Sequence, residues 1–330
     1  MIRIAQIGVG YWGPNLLRNL VSNKDCRVEM VVDLDKERRN FAKNLYPSIQ
    51  VTDKASDVFE NKKIDAVVIA TPIATHFDLA HRALEAGKHV LIEKPMAQTV
   101  HEIDQIESAA KKKSLIAMAG HTFLYNAAVH SLKELVDSGE LGEMRYIYGQ
   151  RLNLGRIRSD ADALWTLAPH DISIVQYLFN DVRPLSVSIH GMDYVQRGIQ
   201  DVVFIDLIYP KKVMVHLHVS WLDPHKIRRM TLVGSKKMAV YDDMAEHKIA
   251  IYDKGIDRMA VLGQNMDFDE SGTPKFNHRS GDVYFPKINF EEPLKVEIAH
   301  FLDCITRRIP CLTGPAHARE VVRILSGKID

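Results

Sequence analysis

Apolar positions along the first 120 residues alternate between two periods. Residues 2–7 (IRIAQI) form a short apolar run that ends in glycines, and residues 14–22 then carry Leu16, Leu17 and Leu20 at helical spacing on one side. The pattern repeats down the chain. Residues 27–33 (RVEMVVD) read as a strand and 35–45 as a helix, 64–70 (IDAVVIA) as a strand and 76–86 as a helix. Residues 88–92 (KHVLI) follow as a strand, 99–113 as a helix, and 114–119 (SLIAMA) as a last short apolar run. Strands alternating with helices of roughly 10–15 residues require right-handed crossovers, which predicts a parallel sheet covered on both faces.

After a helix at about 126–138 the character changes. Residues 143–154, 184–193, 201–209, 213–222, 228–234 and 237–242 are β-rich, with one helix among them near 168–179. The short turns Tyr209-Pro210-Lys211-Lys212 and Gly234-Ser235 predict an antiparallel sheet. Helix 168–179 would cover one face. The other is left for a partner subunit, because a large open sheet is otherwise an edge and patch liability. Residues 254–289, rich in Gly, Asp, Asn and Lys, show weak periodicity and read as a long loop, and helices near 293–307 and 315–326 follow.

At 330 residues the chain exceeds the roughly 250–300 at which single cores stop growing, so two domains with a ligand cleft between them are expected. The 43 Lys and Arg nearly balance 42 Asp and Glu. A formal charge of +1 gives no global field for nucleic acid or an anionic membrane, and neither is expected as a partner, although a local basic pocket for a diphosphate is compatible with it. No run approaches the roughly 18 consecutive apolar residues of a membrane span, and MIRIAQIG enters a strand without a cationic leader, so a cytoplasmic protein is expected. Cys26, Cys304 and Cys311 contain no CxxC pair and are odd in number, which reads as buried thiols in a reducing compartment.

Gly8-Val9-Gly10-Tyr11-Trp12-Gly13 is a G-x-G-x-x-G placed between a predicted strand and a predicted helix. Gly8 permits the tight turn, Gly10 lets backbone N–H groups approach a pyrophosphate, and Gly13 allows close packing of helix on strand. Tyr11 and Trp12 fall within the same cofactor loop. Asp33, twenty residues beyond Gly13 at the end of the second strand, stands where a carboxylate accepts a ribose diol. It would repel a 2′-phosphate, which favours NAD over NADP; the counter-reading has Arg38 or Arg39 reaching back to that phosphate. The fold class expected is therefore an α/β Rossmann domain with a doubly wound parallel sheet, residues 1–122. An α+β domain with a large open antiparallel sheet, residues 123–330, would serve substrate binding and oligomerisation, with its last helices packing back on the first domain.

Thr71 and Pro72 close the third strand at the carboxyl edge of the sheet, where ligands of such folds bind. His76 opens the next helix, either lining the cofactor channel or serving as an ordinary helix-start polar residue. Glu93-Lys94-Pro95 follows a further strand, again at the carboxyl edge. A lysine facing nicotinamide there would have its pKa lowered toward the range of a general base by burial and by the positive ring, whereas a surface lysine would not.

Taken together, IGVGYWG, Asp33, ATPIATH and IEKPMA, followed by an antiparallel second domain, resemble the glucose–fructose oxidoreductase and inositol dehydrogenase (Gfo/Idh/MocA) family over nearly the whole chain. The resemblance implies that Lys94 of the EKP motif is catalytic and also binds cofactor and substrate, with Pro95 in a cis peptide bond that fixes where Lys94 points. It also implies an aspartate four residues before a histidine on the first helix of the second domain. Here the stretch is Leu164-Trp165-Thr166-Leu167-Ala168-Pro169-His170-Asp171, so His170 is present and Thr166 stands where the aspartate is usual. Threonine hydrogen-bonds but carries no charge, which leaves Lys94 and His170 as the acid–base candidates.

Within the family, GVGYWGPNLLRN, GHTFLYN and LAPHDISI are similar to the branch acting on nucleotide-linked sugars, notably UDP-N-acetylglucosamine 3-dehydrogenases, related uronate 3-dehydrogenases and sugar 3-ketoreductases. The expected activity is NAD-dependent oxidation of a sugar C3 hydroxyl to a 3-keto sugar. Alternatives are a free polyol or inositol dehydrogenase, a ketoreductase, or, given Thr166, a dinucleotide-binding sensor. Arg151, Arg156 and Arg158 either hold a diphosphate or sugar carboxylate bidentately or form a solvated basic loop. Tyr125 and Asn126, at the domain junction, are substrate candidates, with packing the other reading for Tyr125. His216 and His218 share a strand face without a third ligand at telling spacing, so no metal is expected.

Overall fold

The computed structural model describes residues 1–258 and 276–328. Its first domain runs β1 (Ile2–Ile7), α1 (Gly13–Ser22), β2 (Cys26–Val32), α2 (Lys36–Leu45), β3 (Gln50–Thr52), α3 (Ser56–Glu60) and β4 (Ala66–Ile69). It continues through α4 (His76–Glu85), β5 (His89–Glu93), α5 (Val100–Lys112) and β6 (Ala117–Gly120). The six strands are parallel in the order β3-β2-β1-β4-β5-β6, the doubly wound arrangement whose direction reverses beside β1. Every residue of β4 is buried, as a strand covered on both faces requires. Neither β3 nor α3 was legible in the pattern, because runs of three and five residues are shorter than any window in which a period can be counted.

The second domain comprises α6 (Ala127–Asp137), β7 (Met144–Leu154), α7 (Ala163–Leu178), β8 (Ser186–Met192), β9 (Val202–Tyr209), β10 (Val213–Ser220), β11 (Leu222–Gly234) and β12 (Met238–Asp242). After them come β13 (Ile249–Arg258), β14 (Phe276–Tyr284), α8 (Pro293–Thr306) and α9 (Pro315–Leu325). Eight strands form one sheet, ordered β14-β13-β12-β11-β7-β10-β9-β8. It is mixed and not purely antiparallel as expected, since β10 runs parallel to β7. The long crossover through α7 and the β8-β9 pair brings the chain back beside β7 in the same direction, which no short turn would do.

Two further expectations are corrected. The segment 254–289 is not all loop: β13 extends to Arg258 and pairs with β14, while residues 259–275 lie outside the described residues. β14 forms the sheet's edge, where its side chains beyond Phe276 are largely exposed on both faces, so the apolar alternation that marks a half-buried strand is missing there. The helix placed at 168–179 begins at Ala163, capped by the Asp162 carboxylate on the Trp165 N–H, and carries Pro169 in its interior. Proline reads as a helix start, but packing of its neighbours Ala168, Ile172 and Val175 into the core against the sheet holds the helix through it.

Strands of the second sheet turn Ile147, Ile205, Leu207, Val215 and Leu217 toward α7 and α9, forming one core. Their alternate residues face outward, leaving Tyr146, Tyr148, Phe204 and Met214 exposed on the opposite face. Helix α8 returns to the first domain, where Leu294, Ile298, Phe301 and Leu302 pack with Leu16, Leu17, Leu20 and Met118. No helix among the described residues is long and apolar enough to cross a membrane. Because Phe301 is fully buried in that contact, Phe301→Ala is expected to lower stability by about 3–5 kcal/mol, measured as a reduced urea midpoint.

Candidate active site

The glycine loop closes β1 as its spacing predicted. Gly8 has φ of +95°, and a Cβ there would lie 2.4 Å from the Ala70 carbonyl oxygen, so only glycine fits. A Cβ on Gly13 would meet the Gly8 carbonyl at 2.6 Å, which is the close packing of α1 on the loop. Gln6, missed in the sequence reading, is fully buried and donates through Nε2 to the carbonyls of Gly8 (2.9 Å) and Gly13 (2.8 Å). Asp33 accepts the Val9 N–H at 2.8 Å and the Asp35 N–H at 2.9 Å, one on each oxygen. A carboxylate has about four lone-pair sites, so the pair that remains is available to a ribose diol. Arg39 turns away to the carbonyls of Asp33 and Leu34, while Arg38 reaches over Gly10 and lines the cleft. The open loop at Gly10, the helix N-terminus and the Asp33 carboxylate fit the diphosphate and ribose of NAD.

Between the domains lies a cleft of about 1420 Å³. That exceeds the roughly 300–1,000 Å³ of a single small-molecule pocket, leaving space for a second ligand beside a dinucleotide. Tyr11, Trp12, Thr71, Pro72, Glu93 and Lys94 line it from the first domain. Phe123, Asn126, Arg156, Arg158, Thr166 and His170 line it from the other side.

Lys94 directly follows β5 and precedes Pro95 through a cis peptide bond. Its Nζ donates to the Thr166 carbonyl at 2.6 Å, joining the two domains inside the cleft. Burial pushes its pKa down to about 8, with Arg151 and Arg158 acting in the same direction and Glu93 opposing. Burial likewise pushes Glu93 up, against Lys94 and the indole N–H of Trp12. The ammonium is therefore held near the point of giving up its proton at neutral to mildly alkaline pH.

His170 sits one turn beyond Thr166 on α7. Its ring meets Phe123 edge-on at 5.0 Å, and its Nδ1 makes no hydrogen bond to protein. Burial first, then Lys94 and Arg151, hold it well below the ordinary histidine range, so it stands neutral. The Thr166 hydroxyl donates to the Asp162 carbonyl at 2.7 Å, so this residue acts on Lys94 through its backbone and not its side chain.

Other expected site residues take different roles. His76 is 1% exposed, with Nδ1 2.8 Å from the Pro95 carbonyl and Nε2 2.9 Å from that of Thr71. It braces the EKP turn against the Thr71 loop and offers no nitrogen to a ligand. Tyr125 is corrected from substrate contact to packing, for its buried hydroxyl is 3.0 Å from Thr313 Oγ1 in the core under α8. Asn126 lines the cleft, but its amide oxygen caps α6 at Ala128 and its nitrogen donates to the Tyr241 hydroxyl. Arg151 is buried and bidentate to Asp171 at 2.7 and 3.0 Å, its guanidinium 4.4 Å from the Phe123 ring centroid, so it anchors α7. Arg156 is exposed over Tyr11, and Arg158 is paired with Asp160 at the rim. His216 is paired with Asp206 on the outer sheet face.

His300 and Cys304 on α8 come together with Cys311 of the following loop, which sequence treated as separate thiols. His300 Nε2 already accepts the Leu312 N–H at 3.1 Å and lies 3.4 Å from the Cys304 sulfur, so the group is internally bonded. Cys26 and Cys304 are buried as expected, while Cys311 is only half-buried.

Residues 2–121 match the Gfo/Idh/MocA oxidoreductase family, NAD-binding Rossmann fold, and residues 129–240 match the Gfo/Idh/MocA C-terminal domain. The scyllo-inositol 2-dehydrogenase (NAD(+)) of Bacillus subtilis strain 168 is 28% identical over 196 residues, covering 58% of this chain and 57% of the relative. Among solved structures, UDP-N-acetylglucosamine 3-dehydrogenase GnnA from Acidithiobacillus ferrooxidans has a TM-score of 0.79 at 24% identity, over 99% of this chain and 96% of that one. GenD2 from gentamicin A biosynthesis, in complex with NAD, has a TM-score of 0.81 at 18% identity, over 99% and 93% of the two chains. At these identities the structural likenesses carry the fold.

Breaking the buried pair that anchors α7 leaves a charge without its partner. Arg151→Leu is expected to cost about 3–5 kcal/mol, read as a lowered urea midpoint, because Asp171 stays buried and unpaired.

Proposed function

We propose that this chain, which belongs to the Gfo/Idh/MocA oxidoreductase family and binds NAD through its first domain, oxidises the C3 hydroxyl of a nucleotide-linked sugar such as UDP-N-acetylglucosamine. The observation that carries this reading is the Lys94 Nζ held at the Thr166 carbonyl beside His170, between the glycine loop and a basic wall. NAD, when bound, supplies the acceptor for the hydride that leaves the sugar carbon. Lys94 in its neutral form takes the hydroxyl proton, which its lowered pKa permits without a strong external base. The neutral imidazole of His170 stands next to it with a nitrogen free to share that proton. The Thr166 carbonyl and the Arg151–Asp171 anchor of α7 fix where Nζ and the imidazole point, and such positioning is worth several kcal/mol of barrier, roughly 7–11 in the best oriented cases.

Support for a nucleotide-linked substrate comes from the outer lip of the cleft. Arg156, Arg158 and Lys226 line it from the second domain, cations suited to a diphosphate that a free polyol lacks. The name of the neighbour GnnA points the same way, whereas the inositol dehydrogenase relative keeps a free polyol as the second reading. The reaction would run in the cytoplasm, in keeping with three free thiols.

For the outer face of the second sheet, we propose pairing with a second copy. Tyr146, Tyr148 and Phe204 are each 39% exposed and Met214 46% on one flat face, an apolar patch that a twofold related copy would cover. Sedimentation at micromolar concentration is expected to give a dimer or tetramer; a monomer would remove this assembly.

NADH formation followed at 340 nm, with NAD and a panel of UDP-sugars, tests the activity, and silence there with turnover of inositols would select the free polyol instead. Lys94→Ala is expected to reduce turnover by about 10²–10⁴-fold while calorimetry shows NAD binding nearly intact. In the wild type, kcat/KM for oxidation should rise with pH through about 8 as Lys94 loses its proton, and fall as pH drops below it.

A further inference from the structure

Behind Lys94 a polar seam leads out of the cleft on the side away from the ligands. Seven buried side-chain atoms among the described residues make no hydrogen bond to protein, and five of them belong to this seam: both ring nitrogens of His121, Nδ1 of His170, Nε2 of His317 and Oε1 of Glu297. Buried polar groups are otherwise nearly always paired, so their gathering at one place calls for a reason. His121, at the end of β6, is 1% exposed, and its ring lies 5.3 Å from that of His317 on α9, in an edge-to-face arrangement. His317 in turn places Nδ1 2.7 Å from an oxygen of Asp181, whose side chain is 39% exposed. The charge of Lys94 is felt at both His170 and His121, and His121 is felt at His170, so the three lie together at the inner end, while His317 and then Asp181 continue from His121 to water.

We propose that His121, His317 and Asp181 conduct to solvent the proton that Lys94 takes from the substrate. This rests on the dehydrogenase reading above. Once the cleft is filled by its ligands, Lys94 has lost its way to water on that side, yet each oxidation of an alcohol leaves one proton to be discharged. A neutral imidazole has one N–H and one bare nitrogen, so it accepts at one and releases from the other. The hydroxyl O–H breaks and its proton goes to Nζ. An Nζ–H then gives its proton to His170, and successive N–H bonds form and break along His121 and His317. The last proton passes from His317 Nδ1 to the Asp181 carboxylate and from there to water, and each ring ends with the number of protons it began with.

The 5.3 Å between the two rings is a step that one ring rotation or one bridging water spans. Charges around the seam set its direction. The fixed charges of Arg151 and Arg228 repel a proton on His170, and the Asp181 carboxylate at His317 Nδ1 draws it outward. Burial keeps His121 and His170 well below the ordinary histidine range, so they rest neutral and open to a proton. Glu93 and Glu297 also face the seam. Glu297, fully buried with Thr122 donating to it, is held protonated by that burial and adds no fixed negative charge to trap the proton.

The test compares wild type with His121→Asn, His317→Asn, Asp181→Asn and Asp181→Glu, using NAD and a panel of UDP-sugars and inositols. Conduction through the seam predicts that the three Asn variants lose on the order of tenfold in kcat, with KM for both substrates unchanged. It also predicts a larger solvent deuterium effect on kcat in these variants, and recovery of activity in Asp181→Glu. Nitrogen-15 spectra of the imidazoles in the free protein supply a readout besides turnover: His121 and His317 should show shifts averaged between two tautomers. Unchanged kcat and isotope effect in His317→Asn, a fixed single tautomer, or equal loss in Asp181→Glu and Asp181→Asn would overturn the relay and leave the dehydrogenase reading standing. A wild type that forms no NADH with any sugar would defeat that reading, and the relay with it.

Discussion

A single hydrogen bond from Lys94 Nζ to the Thr166 carbonyl ties the chemistry of this protein to its architecture. The lysine comes from the carboxyl end of a parallel strand and the carbonyl from a helix of the other domain. Neither domain alone contains both. An ammonium drawn into a cleft loses solvation, and one carbonyl bond and one nearby carboxylate do not replace a full shell of water, so burial lowers its pKa. The same half-buried state that costs stability makes Lys94 useful as a base near neutral pH.

The surroundings keep that state from relaxing. Arg151, fully paired with Asp171 beneath the cleft, contributes a fixed positive charge that cannot swing toward a ligand or away from Lys94. His76 bridges two carbonyls and so locks the turn carrying Lys94 to the loop that follows β4. Helix α8, packed against α1 and β6, brings the second domain back onto the first and fixes the width of the cleft between them. Groups that the motifs presented as ligand contacts thus serve largely to hold two atoms, Nζ and the free nitrogen of His170, in register.

Much of the site was legible before any coordinates because turns demand particular residues. Gly8 adopts a positive φ against Ala70, and Gly13 packs where no side chain fits, so the glycine spacing announces the loop and the loop announces the cofactor. Tyr125 was misread because a polar residue near a motif looks the same in sequence whether it faces the cleft or bonds inward. Thr166 shows the converse: a missing carboxylate suggested a weakened site, while the position acts through its carbonyl, which every residue possesses. The edge strand β14 escaped notice because exposure on both faces erases the alternation by which strands are found.

By itself the sequence determined the alternating parallel sheet, the glycine loop, Asp33 and the placement of Lys94 at a strand end, because local periodicity and backbone sterics act over a few residues. Only the tertiary structure decided that β10 runs beside β7 in the same direction, that Pro169 stays within a helix, and that His121, His317 and Asp181 line up behind the site. Those features depend on residues up to hundreds of positions apart meeting in a low-dielectric interior. There, burial and pairing choose among arrangements that local preference leaves equal.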